Sequence, residues 1–265
     1  GGSGKTTLVD ALAFVSGARR RHGNIKDGTT LTDYTPDEIA RQHSISLGLA
    51  YAEWMDTKLN LLDTPGYLDF FGEVVTGLHA ADAAVVVVSG VSGVEVGTEK
   101  AWEVCDRLHL PRLIFVGQMD KEHANFERVF ADVKAHLSPK VLPVEVPIGE
   151  GSTFRGIVNL FSGKSHIYKP GTKSGEYDEV EVPAEHQAEV KKYSDLLIET
   201  VAATDDALIE RYLGGEEIPR EEVIAALKKA VMDGSIVPLF VGSATLTFGM
   251  RALLTKMVEI FPAAA

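Results

Sequence analysis

The sequence has little cysteine, the residue that forms disulfide bonds. Its 265 residues include one cysteine, Cys105, so an internal disulfide framework is excluded. This cysteine lies in an apolar stretch with helical spacing, and we expect it in the core. Long hydrophobic runs are missing too, because the run at 80–88 is too short to cross a bilayer. We therefore expect a cytoplasmic protein with no membrane partner, and we interpret 80–88 as a buried strand.

Basic residues are also scarce. Lys and Arg number 26 against 38 Asp and Glu, which gives a formal net charge of −12. A general nucleic-acid clamp needs concentrated positive charge, so we expect no DNA partner, and any RNA contact must be local. The dense basic run Arg19-Arg20-Arg21-His22 fits a solvated helix end as well as a phosphate contact.

The first seven residues carry the clearest chemistry. They are Gly1-Gly2-Ser3-Gly4-Lys5-Thr6-Thr7, the downstream part of the phosphate loop G-x-x-x-x-G-K-[ST]. Small residues let backbone N–H groups cradle phosphates, Lys5 can reach the β/γ oxygens, and the Thr6 hydroxyl can coordinate Mg²⁺. The motif's first glycine and the strand before it would precede Gly1, so we expect a fragment of a longer chain. A Gly-Ser expression scar explains 1–4 but not Lys-Thr-Thr leading into a helical pattern.

Strand and helix patterns alternate along the rest of the chain. Short runs rich in β-branched residues lie at 58–62, 83–89, 113–116 and 236–241. Amphipathic stretches separate them, for example at 95–108. This alternation predicts an α/β fold with a mostly parallel sheet flanked by helices.

The pattern changes between 141 and 235. Strand-like alternation at 154–160 and 165–168 is followed by helical patterns at 183–213 and 220–232. We expect an inserted α/β subdomain at 141–235, packed separately. The nucleotide-binding domain would then comprise 1–140 and 236–265.

Polar residues follow the predicted strands. Asp63-Thr64-Pro65-Gly66 comes after the first, where a carboxylate holds Mg²⁺, usually through water, and the Gly66 N–H can meet the γ-phosphate. Asp120 follows the third, where a carboxylate can accept both N–H donors of guanine that adenine lacks. Ser243-Ala244 follow the last and can offer a backbone N–H to the guanine carbonyl. An ATP-using P-loop enzyme would leave the last two features unexplained.

Several runs together resemble the GTP-binding domain of translation elongation factor G. They are Leu61-Leu-Asp-Thr-Pro-Gly-Tyr-Leu-Asp-Phe70, Gly93-Val-Glu-Val-Gly-Thr-Glu99, Phe115-Val-Gly-Gln-Met-Asp-Lys121 and Pro238-Leu-Phe-Val-Gly-Ser-Ala244. Parts of 141–235, such as Leu142-Pro-Val-Glu-Val-Pro-Ile-Gly149, look like that family's extra subdomain. The resemblance covers almost the whole chain. It implies a P-loop NTPase that binds GTP, GDP and Mg²⁺ and acts on ribosomal proteins and rRNA of the large subunit; we expect a monomer.

The departures from that family bear on activity. Its Asn-Lys-x-Asp motif stands here as Gly117-Gln118-Met119-Asp120, which keeps the carboxylate and loses the amide and the lysine stem. We expect guanine nucleotides to bind more weakly, by about 1–2 kcal/mol for each missing contact. Tyr67 replaces the family's catalytic histidine. With Tyr67, Lys5 and Gly66 as the catalytic set, we expect attenuated GTP hydrolysis.

The switch segment also differs. We align the family's Arg-Gly-Ile-Thr with His43-Ser44-Ile45-Ser46, which makes Ser46 a third Mg²⁺ ligand beside Thr6 and Asp63. Thr29, Thr30 and Thr32 are alternatives. With these changes the sequence is more similar to the elongation factor G-like paralogues than to the housekeeping elongation factor G. Two functions stay open: an active translational GTPase, or a nucleotide-dependent ribosome-binding factor with little or no hydrolysis.

Overall fold

A computed structural model describes residues 1–169, 172 and 175–264. Its helices are α1 (Lys5–Val15), α2 (Pro36–Arg41), α3 (Phe71–Ala80), α4 (Val96–Arg107), α5 (Phe126–His136), α6 (Gln187–Ala202), α7 (Asp206–Leu213), α8 (Arg220–Met232) and α9 (Met250–Ile260). Its strands are β1 (Gly48–Trp54), β2 (Thr57–Asp63), β3 (Ala84–Ser89), β4 (Arg112–Gly117), β5 (Val141–Pro143), β6 (Glu145–Ile148), β7 (Gly156–Asn159), β8 (Lys164–Tyr168), β9 (Tyr177–Glu181) and β10 (Val237–Val241).

A parallel sheet with strand order β3-β4-β10-β5 forms the centre of the molecule. Every residue of β4 and β10 is buried, which is why these strands read as continuous apolar runs rather than as alternating ones. Cys105 is buried on α4 and is not part of a disulfide. The predicted α/β fold is confirmed, and the carboxyl ends of β3, β4 and β10 share one edge.

An antiparallel hairpin of β1 and β2 lies beside this sheet. Its turn residues Met55 and Asp56 have φ angles of 49° and 57°, the left-handed pair of a two-residue hairpin turn. Burial alternates along β1, with Ala50 and Ala52 facing the core. The sequence analysis missed β1 because its inward residues are small. The end of β2 places Asp63 at the same edge as the parallel strands.

The inserted segment contains an antiparallel sheet of order β6-β7-β8-β9 and three helices, α6 to α8. Two expectations need correction. β5 lies inside 141–235, yet it pairs with β10 and so belongs to the parallel sheet. The insert is also not packed separately, because one continuous core includes Val146 and Leu227 of the insert together with Phe240 and Leu253. The helical pattern at 183–213 divides into α6 and α7, since Asp205 caps α7 by accepting from the Ala207 and Leu208 N–H groups.

Within the described residues, no helix combines the length and the apolar character that crossing a bilayer would require.

Candidate nucleotide-binding site

The loop before α1 has the backbone that anion binding requires. Gly2 and Gly4 have φ angles of 77° and 93°, which favour glycine. α1 begins directly afterwards at Lys5, so the N–H groups of its first turn, including those of Thr6 and Thr7, have no acceptor within the helix. The positive end of the helix therefore faces the space above the loop, where phosphates are stabilised.

Lys5 and Gly66 meet beside this loop. A Cβ atom on Gly66 would lie 2.8 Å from Lys5 Nζ and 3.0 Å from Gly1 Cα, so only glycine lets the two loops approach this closely. Burial lowers the pKa of Lys5, while the carboxylates of Asp63, Glu95 and Asp33 oppose that shift. A cavity of about 100 Å³ opens here, with Lys5, Gly66 and Tyr67 in its lining. The structure thus brings the three expected catalytic residues together.

Hydroxyl and carboxylate groups cluster next to Lys5. Thr32 Oγ1 donates to Asp63 Oδ2 at 2.5 Å, and Thr6 Oγ1 lies 3.0 Å from Ser44 Oγ. Asp63 is 2% exposed, and burial raises its pKa to about 6 although the hydroxyls of Thr32 and Thr6 oppose the shift. Taken over the described residues, Asp63 Oδ1 and both oxygens of Asp33 are buried without a hydrogen-bond partner.

These three buried carboxylate oxygens without hydrogen-bond partners show whether the site suits a cation. Buried polar atoms are nearly always paired, and carboxylates, hydroxyls and phosphates are the ligands that Mg²⁺ prefers. The described chain has no cluster of three or more His, Cys, Asp or Glu side chains suited to a metal. Thr6, Asp63 and Asp33 therefore fit Mg²⁺ held jointly with nucleotide phosphates rather than by a protein cage alone.

The switch segment differs from our alignment by two residues. Ser46 is exposed, whereas Ser44 is buried beside Thr6. Glu38 fixes this register, because its Oε1 accepts from the Ile45 and Ser46 N–H groups at 3.0 and 3.2 Å. The structure does not bring Ser46 to the metal cluster, and of the alternatives it places Thr32 there.

Glu38 can hold the segment because it stays charged. Burial favours its neutral form, but hydrogen bonds from Ile45, Ser46 and Thr35 outweigh burial and lower its pKa. Sequence reasoning missed Glu38, Ser44 and Asp33. The available signal for Glu38 was the capping box that it forms with Thr35 at the start of α2. A lone Asp33 in a loop gives no such signal.

The expected guanine-reading residues meet at the other end of the site. Asp120 has a side chain that is 14% exposed, and its Oδ1 is buried with no partner within the described chain. The Met119 N–H donates to the Gly242 carbonyl at 3.2 Å, which joins the Asp120 loop to the loop of Ser243 and Ala244. Ser243 Oγ accepts from the Leu246 N–H and so fixes that second loop. The two loops are therefore held next to each other.

Gln118 links the two ends of the site. Its Nε2 donates to the Gly2 carbonyl at 2.9 Å, and its Oε1 accepts from Ser89 Oγ at 2.6 Å. Gly117 lies against the same loop, since a Cβ there would be 3.2 Å from the Phe115 ring and 3.9 Å from the Ser3 carbonyl oxygen. A side-chain amide thus contacts the phosphate loop from position 118, whereas Gly117 has none. The sequence alone gave no indication of this, because Gln118 reaches the loop only through its left-handed φ of 62°.

Comparison with known proteins decides the class of this site. The chain matches, over residues 2–263, the family described as the Elongation factor Tu GTP binding domain. The chain belongs to this elongation factor Tu GTP-binding domain family. It is also similar to the crystal structure of ttk003000868 from Thermus thermophilus, with a TM-score of 0.91 and 38% sequence identity. That match covers 99% of this chain and 39% of the Thermus chain.

Membership in the elongation factor Tu GTP-binding domain family implies guanine nucleotide binding and GTPase chemistry. The insert is part of the likeness, because the Thermus structure matches nearly all of the chain, with the 141–235 segment included.

Proposed function

We propose that this chain is the GTP-binding domain of an elongation factor G-like translational GTPase that acts on the ribosome. One observation carries the proposal: two features occur at the same edge of the sheet. They are the phosphate-loop cluster around Lys5 and a buried oxygen of Asp120 that has no hydrogen-bond partner within the described residues. The structural match over nearly the whole chain supports the same family. In this proposal the protein is a cytoplasmic monomer, and its partners are proteins and rRNA of the large ribosomal subunit.

The chain's own groups would share the work of binding. Backbone N–H groups at the start of α1 cradle the phosphates, and Lys5 balances charge on the β/γ oxygens. Asp120 accepts hydrogen bonds from the guanine N–H donors, and the backbone near Ala244 donates to the guanine carbonyl. Phosphoryl transfer depends almost entirely on such positioning and electrostatic stabilisation.

Thr6, Ser44, Asp63 and Asp33 are the residues that would hold Mg²⁺. When bound, it neutralises charge that develops on the β- and γ-phosphate oxygens. Lys5 and the Gly66 N–H act on the same oxygens from the protein side. The dense packing of Gly66 against Lys5 keeps these donors in a fixed arrangement.

Hydrolysis is proposed to be slow. Tyr67 stands where the family resemblance implies a histidine, and a neutral phenol cannot supply the positive charge of an imidazolium. Losing one such group typically lowers the rate of hydrolysis by a factor of about 10²–10³.

The second candidate function follows from the same residue: a nucleotide-dependent ribosome-binding factor with little or no hydrolysis. Tyr67 is 49% exposed and packs against His43, as a docking anchor would.

Calorimetry tests nucleotide choice. We expect GTP and GDP to bind in the presence of Mg²⁺ with much higher affinity than ATP. Asp120→Ala should remove the preference for guanine, whereas Asp82→Ala, which removes an exposed carboxylate just before β3, serves as the matched control. Equal affinities for ATP and GTP, or an Asp120→Ala protein that binds GDP normally, would contradict the assignment.

Turnover by the intact protein separates the two functions. We expect slow GTP hydrolysis with weak stimulation by ribosomes, and an increase for Tyr67→His. Hydrolysis on ribosomes at the rate of an ordinary elongation factor would show that Tyr67 is not limiting. An absence of hydrolysis together with GTP-dependent ribosome binding would favour the second function.

The insert is proposed as a docking surface for ribosomal proteins. Its acidic residues do not carry that proposal, because several have structural roles: Asp205 caps α7, Glu185 pairs with Arg155, and Glu216 pairs with Arg211. The support is the family resemblance. Because the insert shares the core, exposed charges should be reversed in place rather than the segment deleted. Unchanged ribosome association after reversing Asp206 and Glu217 on its exposed face would count against the proposal.

A further inference from the structure

The loop after β10 contains a backbone donor without a partner. Residues 243–249 close on themselves, because Ser243 and Phe248 exchange two backbone hydrogen bonds of 3.0 and 2.9 Å. Inside this loop, Ser243 Oγ accepts from the Leu246 N–H. Ala244 is buried, yet within the described residues its N–H has no hydrogen-bond acceptor. Buried backbone N–H groups are nearly always paired, so this one points to a ligand that brings its own acceptor.

One tyrosine of the insert contacts this loop at its C-terminal end. Tyr168, the last residue of β8, is 5% exposed. Its ring stacks on that of Phe248, with the centroids 4.3 Å apart and the planes 9° from parallel. Its hydroxyl oxygen accepts a hydrogen bond of 2.7 Å from the Gly249 N–H. Because Phe248 also pairs with Ser243, these contacts restrain the part of the loop that presents the free N–H.

Gly249 leaves the loop little room to move at that end. Its φ is 89°, and it immediately precedes α9. A Cβ there would lie 2.7 Å from the Val241 carbonyl oxygen and 3.2 Å from Ile157 Cδ1 of the insert. The ring of Phe154, also in the insert, lies 6.0 Å from that of Phe248. The end of the loop is therefore packed between β10 and the insert.

The insert also contacts the loop that contains Asp120. The Gly151 N–H donates to the Met119 carbonyl oxygen at 2.8 Å, and the Met119 N–H donates in turn to the Gly242 carbonyl oxygen. The contact from Gly151 joins two backbones, so no side-chain substitution removes it. Tyr168, by contrast, contacts the loop through its side chain alone, and its contribution can be measured.

We propose that Tyr168 is a positioning residue for guanine recognition. By holding Phe248 and Gly249, it keeps residues 243–249 in the conformation in which the Ala244 N–H can donate to the guanine carbonyl. The inference rests on the proposed binding of guanine nucleotides. Tyr168 acts through the loop and not on the nucleotide itself, and its role requires no change of charge. The insert would thus contribute to the choice of nucleotide.

Three nucleotides and one conservative substitution test this role in the intact protein. GDP and inosine diphosphate carry an oxygen at C6 of the base, whereas 2-aminopurine riboside diphosphate has none. We expect Tyr168→Phe to raise the Kd for GDP and for inosine diphosphate by about 3- to 10-fold, because a hydrogen bond that holds the loop is lost. The Kd for the 2-aminopurine nucleotide should change by less than about twofold, because that base offers the Ala244 N–H no C6 oxygen.

A second variant and a control accompany this measurement. Tyr168→Leu, which also removes the stacked ring, should raise the Kd for GDP by about 10- to 100-fold. Tyr193→Phe is the matched control. Tyr193 is another buried tyrosine of the insert, but its hydroxyl donates to Glu127 on α5 and its ring packs against Phe126. Its loss should change none of the three Kd values by more than about twofold.

Hydrogen exchange measures the loop directly. In the nucleotide-free protein, the amides of 243–249 should exchange faster in Tyr168→Phe than in wild type or in Tyr193→Phe. Equal losses of affinity for GDP and for the 2-aminopurine nucleotide would show that Tyr168 only supports the fold, which would overturn the inference. An unchanged Kd for GDP in both Tyr168 variants would overturn it as well. Wild-type protein that binds the 2-aminopurine nucleotide as tightly as GDP would overturn the proposed guanine recognition and this inference together.

Discussion

The side-chain amide of Gln118 donates to the carbonyl oxygen of Gly2 at 2.9 Å and thereby ties the loop that contains Asp120 to the phosphate loop. The same amide accepts from Ser89 Oγ at the end of β3. A side-chain amide therefore reaches the phosphate loop from position 118, whereas Gly117 has no side chain to offer one. We expect this contact to reduce the loss of affinity predicted from the departure from Asn-Lys-x-Asp.

Gln118→Ala should weaken GDP binding by about 3- to 10-fold. A neutral hydrogen bond contributes about 0.5–1.5 kcal/mol, and without both bonds the loop must be ordered when the nucleotide binds. Calorimetry with GDP measures the change. Gln187→Ala is the control, because the side-chain amide of Gln187, on α6, also donates a hydrogen bond to a backbone carbonyl, that of Val182. Equal GDP affinities for wild type and Gln118→Ala would show that the loop holds its shape without this bond.

Ser44→Ala should raise the Mg²⁺ concentration needed for GTP binding more than Ser46→Ala does. The hydroxyl of Ser44 is 3.0 Å from Thr6 Oγ1, whereas Ser46 is exposed. Losing one oxygen ligand of a hard cation should cost about 1–2 kcal/mol, a shift of roughly 5- to 30-fold. Titrating Mg²⁺ against a fluorescent GTP analogue measures it. A larger effect from Ser46→Ala would restore the alignment made from the sequence.

Asp33→Asn should stabilise the nucleotide-free protein and weaken its Mg²⁺-dependent GTP binding. Asp33 is 4% exposed with both oxygens unpartnered in the described structure, and burial raises its pKa, so its charge is costly until a cation arrives. We expect a gain of about 1 kcal/mol in the free energy of unfolding. Denaturant titration measures stability, and Asp27→Asn, at an exposed position, is the control. A less stable Asp33→Asn protein that binds Mg²⁺–GTP normally would exclude Asp33 from the metal site.

Stability should fall as pH rises from about 5 to 8, and Glu145→Gln should reduce that fall. Glu145 is 2% exposed, and burial raises its pKa from 4.5 to about 8, partly offset by the Val241 N–H and Lys256. Between these two values the folded state binds more protons than the unfolded state, so the free energy of unfolding decreases with pH. Asp63 acts in the same direction up to its raised pKa of about 6.

At pH 8 the Glu145→Gln protein should therefore be more stable than wild type by about 1–4 kcal/mol, with a much smaller difference at pH 5. Glu53→Gln on the exposed side of β1 is the control for loss of a carboxylate. Unfolding by urea at several pH values measures both proteins. Parallel stability curves for wild type and Glu145→Gln would show that Glu145 does not titrate as its burial implies.

The sequence by itself determined the parts that depend on local spacing. Buried parallel strands need apolar residues at every position, so β3, β4 and β10 were visible as runs, and the residues that follow them were placed correctly at one edge. The glycines around Lys5 and the Asp63-x-x-Gly66 spacing could also be recognised from the sequence, because phosphate binding requires those residue types at those positions. By contrast, β1 was missed because Ala50 and Ala52 give its inward face little hydrophobic contrast.

Only the tertiary structure decided which side chains meet across the site. Ser44 rather than Ser46 faces Thr6 because the buried, charged Glu38 holds the Ile45 and Ser46 backbone. Gln118 reaches Gly2 because its backbone has a left-handed φ of 62°, and it reaches Ser89 because β4 lies beside β3 in the sheet. His43 reaches Tyr67 because two loops distant in sequence lie next to one phosphate loop. Such contacts depend on backbone direction and on long-range packing, which a pattern of residue types does not encode.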